Sequence, residues 1–102
     1  MTRLLAALAL ATTAALPAAA DNLAVRFTNH SGKTVYRIFS SPPDQGWGGD
    51  LLGSSVLYPG QGLDVLFSNV YSCTYDVMVE FESGYTFTDQ WDICAAAYYD
   101  IY

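Results

Sequence analysis

Positive charge is scarce in this chain, and the scarcity excludes whole classes of partner. Of 102 residues only four are lysine or arginine and one is histidine, against ten aspartates and glutamates. A surface of that sign repels phosphate backbones and anionic headgroups, so nucleic acid and membrane surfaces are not expected partners. Histidine and cysteine are nearly as rare. His30 stands alone beside Ser31, the two cysteines suit a bridge better than a reactive thiol, and no glycine-rich phosphate loop occurs. Nucleophilic, phosphoryl and multi-histidine metal chemistry therefore lack a donor set. Hydrolysis by two carboxylates such as Asp44 and Asp50 would need a cleft that so short a chain hardly makes. The expectation is a protein that is not an enzyme and has neither a cofactor nor a metal centre.

Long apolar runs are missing too, except at the N-terminus. Arg3 supplies one positive charge, Leu4 to Leu16 is leucine and alanine with two threonines, and Pro17 precedes Ala18-Ala19-Ala20. This tripartite order reads as a secretory signal peptide over residues 1–20, cleaved after Ala20, and its apolar stretch is too short to span a bilayer. Residues 21–102, 102 − 20 = 82 in number, are then one domain carrying Arg26, Lys33 and Arg37 against ten acids, a net charge of 3 − 10 = −7. The expected location is the periplasm or the medium, without a membrane span after cleavage. In such an oxidising space Cys73 and Cys94 read as a disulfide.

The two cysteines bracket the most regular stretch. Cys73, Tyr75, Val77, Val79 and Phe81 alternate with polar residues and Met78; Tyr85, Phe87, Asp89 and Trp91 do the same on the return. Period-two alternation rich in β-branched and aromatic residues marks a hairpin with one buried face. A two-residue turn would mix the faces, whereas the three-residue loop Glu82-Ser83-Gly84 pairs Phe81 with Tyr85, Val79 with Phe87, Val77 with Asp89 and Tyr75 with Trp91. Carried on, that register leaves Cys94 one residue out of step with Cys73, so a bridge predicts an irregularity between Gln90 and Ile93. It also aims Asp89 with Phe87 and Trp91, where a carboxylate needs a partner, and Arg26 or Arg37 is the expected one.

Further strands are expected at Leu23–Thr28, Thr34–Ser40, Ser55–Tyr58, Leu63–Ser68 and Tyr98–Tyr102, the first two joined as a hairpin through Asn29-His30-Ser31-Gly32. In the second, Tyr36 and Ile38 share one face. Six to seven short strands with turn residues between them give an all-β fold, a small antiparallel β-sandwich, immunoglobulin-like or an open barrel, with one disulfide.

Candidate binding residues are aromatic. Trp47, between glycines in the loop Ser41–Asp50, either folds inward as a plug, the usual fate of tryptophan in a small domain, or offers a flat face for a sugar ring or peptide, with Asp50 as acceptor or backbone cap. Tyr98 and Tyr99, with Tyr71, Tyr75, Tyr85 and Tyr102, are numerous enough for an exposed patch. The acids form two groups, Asp44 with Asp50 and Asp89 with Asp92 and Asp100; calcium is the alternative ligand and a solvated acidic face the plain reading. Asn29-His30-Ser31 also fits a glycosylation acceptor in a eukaryotic host.

The motifs Phe27-x-Asn29-x-Ser31-Gly32, Ser41-Pro42, Trp47-Gly48-x-Asp50-x-Leu52 and Cys73-x-Tyr75-Asp76, with a late Cys94, resemble those of a group of small exported proteobacterial proteins. The resemblance implies an exported, disulfide-bonded β domain in which the Trp47 loop matters, and brings no activity with it. The expected function is a non-catalytic binding or interaction module of the cell envelope, its partner a protein or a glycan. The alternative is an acidic structural or accessory protein.

Overall fold

Apolar alternation places one face of each main strand in a shared core, and the computed structural model, which describes residues 21–102, resolves them into six strands without a helix. The leader expected over residues 1–20 and its cleavage after Ala20 lie outside the described residues. The strands are β1 (Asp21–Asn29), β2 (Val35–Ser41), β3 (Gly62–Val70), β4 (Thr74–Phe81), β5 (Thr86–Asp92) and β6 (Tyr98–Ile101). They form two three-stranded sheets, β3-β1-β6 and β2-β4-β5. Every pairing is antiparallel except β1 with β6, which run parallel, Phe27 beside Tyr99.

The inner faces meet in one core. Val25 and Phe27 of β1, Phe67 of β3 and Ile101 of β6 oppose Val35 and Ile38 of β2 and Tyr75, Val77, Val79 and Phe81 of β4, with Leu52, Leu57 and Ile93 closing the ends. The tryptophan that packs against this core is Trp91, partly buried. Its ring stands edge-on to Phe27 at 5.7 Å and lies 5.1 Å from Tyr99, while its indole N–H donates to the Ala96 carbonyl at 2.8 Å. An indole N–H partly withdrawn from water is satisfied by such an acceptor.

The central hairpin has the expected register, Val79 opposite Phe87, Val77 opposite Asp89 and Tyr75 opposite Trp91. Its turn closes on Gly84 at φ +94°, a backbone that side-chain-bearing residues avoid. The Cys73–Cys94 disulfide is present, with Cα atoms 5.2 Å apart. The irregularity expected between Gln90 and Ile93 is instead a turn beyond it: the ladder stays regular to Thr74–Asp92, and the Ile93 amide still donates to the Cys73 carbonyl at 2.8 Å. The chain then turns sharply. Asp92 Oδ1 accepts from the Cys94 and Ala95 amides at 2.9 and 3.1 Å, and this turn swings Cys94 back onto Cys73.

Three expectations are corrected. β1 and β2 are not a hairpin: both edges of β1 are taken, by β3 and β6, and β2 lies in the other sheet. The crossing is organised by Asn29, fully buried, whose side-chain amide donates to the Lys33 and Leu57 carbonyls at 2.7 and 2.9 Å while its oxygen accepts from the Ser31 amide and hydroxyl. That burial also removes Asn29 as a glycosylation acceptor. In β2, Val35 pairs with Phe81 but Arg37 with Glu80, so Tyr36 is the extra residue of a bulge. Val35 and Ile38 point inward, and Tyr36 turns out beneath the Arg37 guanidinium, 4.6 Å from its ring centre. The strand expected at Ser55–Tyr58 reduces to one bridge, Leu57 to Val35.

A cleft beneath the Trp47 loop

Stacking the sheets leaves β2 and β3 as edge strands on the same side of the molecule, and the chain between them, residues 42–61, passes over that side. The β2 edge is sealed. Asp50 Oδ1 accepts from the Ile38 and Leu52 amides, both at 3.0 Å, the Leu51 amide donates to the Ile38 carbonyl at 2.8 Å, and Leu57 exchanges two backbone bonds with Val35. Asp50 is thus an anchor that fixes the loop on its strand. A short polar side chain capping local amides is the usual role of aspartate in a turn.

Across from this sealed edge a cleft of about 500 Å³ opens between the loop and β3. Its floor is Phe67 and Tyr75, their rings stacked 5.2 Å apart; Trp47 and the glycines beside it form one wall, and Val65 to Asn69 the other. Tyr71 closes one end, where the Gln45 side-chain amide hydrogen-bonds its hydroxyl. Burial, and secondarily the neighbouring Tyr71, pushes the Tyr75 hydroxyl above its ordinary range, so it stays a neutral donor. Trp47 is half-buried, and a second hollow of about 410 Å³, against Asp76, Thr88, Asp89 and Gln90, lies along it as well. Trp47 therefore borders two hollows and is not part of the buried core.

The other candidate residues lie elsewhere. Tyr98 and Tyr99 are on β6, at the opposite side of the sandwich, and adjacent positions on a strand face opposite ways. Tyr98 is exposed. Tyr99 packs on Trp91, and its hydroxyl donates to Asp89 Oδ2 at 2.7 Å. That bond corrects the expected partner of Asp89: the arginines are engaged elsewhere, Arg26 with Asp64 at 2.8 Å and Arg37 with Glu80 at 2.9 Å. Burial first, then the hydrogen bond to Asp89 and its negative charge, pushes the Tyr99 hydroxyl far above its ordinary range.

The acids are likewise dispersed into local roles. Asp92 caps its turn, Asp89 holds Tyr99, and Asp100 lies 3.4 Å from His30, whose ring stacks on Tyr102. Among the described residues one group of three potential ligating side chains is gathered, Cys73, Asp92 and Cys94, but both sulfurs are in the disulfide. Sequence reasoning singled out Trp47 and counted Tyr71 and Tyr75 among the tyrosines; it had no signal for Gln45 or Phe67 as parts of one site.

Fold and site together define a small disulfide-bonded all-β domain with an aromatic cleft along one open side. No protein-family model, curated protein or solved structure matches this chain.

Proposed function

We propose that this protein is an exported, non-catalytic binding module of the cell envelope, acting in the periplasm or outside the cell, and that the cleft beneath the Trp47 loop holds its partner, a protein segment or a glycan. The observation that carries this reading is the placement of Trp47: a tryptophan with hollows along it, on a loop that Asp50 and Leu51 tie to Ile38. A half-exposed indole offers apolar contact area to a ligand, which is the profile of an interface anchor. The lining contains amides, hydroxyls and aromatic rings and no carboxylate, histidine or cation. Such a surface orients a ligand through hydrogen bonds and stacking and has no acid–base pair for chemistry. Export is supported by the leader sequence, with the disulfide a weaker pointer to an oxidising space.

The test is capture on arrays of envelope glycans and envelope-protein peptides by the purified 21–102 domain and by its Trp47→Ala variant. The expected result is at least about tenfold weaker capture by the variant, as for loss of an interface anchor, with a melting temperature within about 3 °C of wild type, as befits a residue outside the core. Equal capture by both proteins, or collapse of the variant's fold, overturns the reading.

A further inference from the structure

The ladder geometry points to a more specific occupant, resting on the reading of the cleft as the binding site: we infer that the cleft takes an extended peptide, which adds as a strand to the free edge of β3. In an antiparallel ladder, residues alternate between bonding their partner strand and facing away from it. Arg26 donates its amide to Ala97 on the β6 side, so its partner Asp64, and by the same alternation Leu66 opposite Ala24, turn their N–H and C=O groups away from β1, out to the edge. Leu66 lines the cleft, and its side chain is 62% exposed. On the facing wall the Ile38 backbone N–H and C=O bond Asp50 and Leu51, and two residues on, Ser40, opposite Val77, turns its backbone the same way into the cleft.

The two edges are treated differently. Val35 and Ile38 of β2 are covered by the loop, whereas among the described residues nothing covers Asp64 and Leu66 of β3, a nine-residue strand. A flat exposed edge is a template for another strand unless it is blocked. Backbone donors and acceptors in register along a cleft match a peptide backbone, and alternate side chains of the added strand would fall on Phe67, Trp47 and Tyr71. Charge selects the peptide further. The cleft is neutral, but the domain around it carries −7 (3 cations − 10 acids) and both of its arginines are paired. The fitting partner is a segment with apolar residues at every second position and lysine or arginine between them.

The experiment is selection of a displayed random ten-residue peptide library on the full 21–102 domain, followed by affinity measurement of the enriched peptides on wild type, Leu66→Pro and Trp47→Ala. Proline at position 66 removes an N–H that bonds nothing within the sheet, a place where an edge strand tolerates it. Urea midpoints, and Val65→Pro as the variant expected to unfold because its N–H serves β1, separate edge loss from misfolding. The inference expects enriched peptides with period-two apolar residues and net positive charge, binding Leu66→Pro at least about tenfold more weakly while its urea midpoint stays near wild type. Peptides that bind wild type and Leu66→Pro alike, or no enrichment at all, overturn it. Glycan capture that depends on Trp47 and ignores Leu66→Pro would keep the binding-module reading and overturn the peptide. A concentration-dependent dimer abolished by Leu66→Pro would assign the edge to a second copy of this chain and equally overturn it.

Discussion

At the scale of single residues, one buried polar side chain ties the two sheets together. Asn29 sits in the core at 0% exposure and satisfies four hydrogen bonds where the chain crosses between sheets. Asn29→Ala removes four hydrogen bonds and leaves the Ser31 amide without its acceptor, while the Leu57 carbonyl keeps only the Val35 amide and the Lys33 carbonyl only the Ser31 hydroxyl, which should lower unfolding free energy by about 2 kcal/mol. Asn29→Asp should cost more than the alanine, because a carboxylate would face the Lys33 and Leu57 carbonyls; urea titration of both variants checks the order. Tyr99 gives a pH signature. Its hydroxyl is held protonated in the fold above its unfolded value, by burial first and by Asp89 second. The stability this contributes is complete below the unfolded tyrosine pKa of about 10 and declines as pH rises beyond it. Tyr75, shifted the same way, adds to the effect. Thermal melts between pH 8 and 11 should show that decline in wild type and a shallower one in Tyr99→Phe.

At the scale of elements, legibility followed the locality of the cause. The hairpin register could be read because its two apolar faces and a three-residue loop ending in Gly84 left one consistent pairing. The Tyr36 bulge could not: its pairing partner Glu80, bonded to Arg37, is distant in sequence, and simple alternation put Tyr36 on the same face as Ile38. The β1–β2 hairpin was misread for a similar reason, since a short polar turn looks the same whether the chain returns along its own sheet or crosses to the other. Trp47 was legible as a candidate, yet the partners that make it a cleft, Phe67, Tyr71 and Tyr75, come from other segments and are united only by the stacking of β2 over β3. The disulfide staples the base of the hairpin to the turn before β6. Replacing both cysteines by alanine should destabilise by about 3 kcal/mol in the chain-entropy model for a loop of this size. Calorimetry under oxidising and reducing conditions checks it, and the double variant should no longer respond to reductant.

At the scale of the whole molecule, the two sheets leave four edge strands, and the chain invests its longest connection in covering only one of them. That asymmetry places the aromatic cleft beside a strand edge that nothing among the described residues pairs with. The central claim is that β3 presents a free edge beneath Trp47, and amide hydrogen exchange at single-residue resolution tests it most directly. The Asp64 and Leu66 amides should exchange at rates close to those of an unprotected chain, while Leu63, Val65 and the Asp50-bound Ile38 amide exchange at least about a hundredfold more slowly, as bonded amides of a stable domain do. Slow exchange at Leu66 equal to that at Val65 would mean that the edge is already occupied, and would contradict the account.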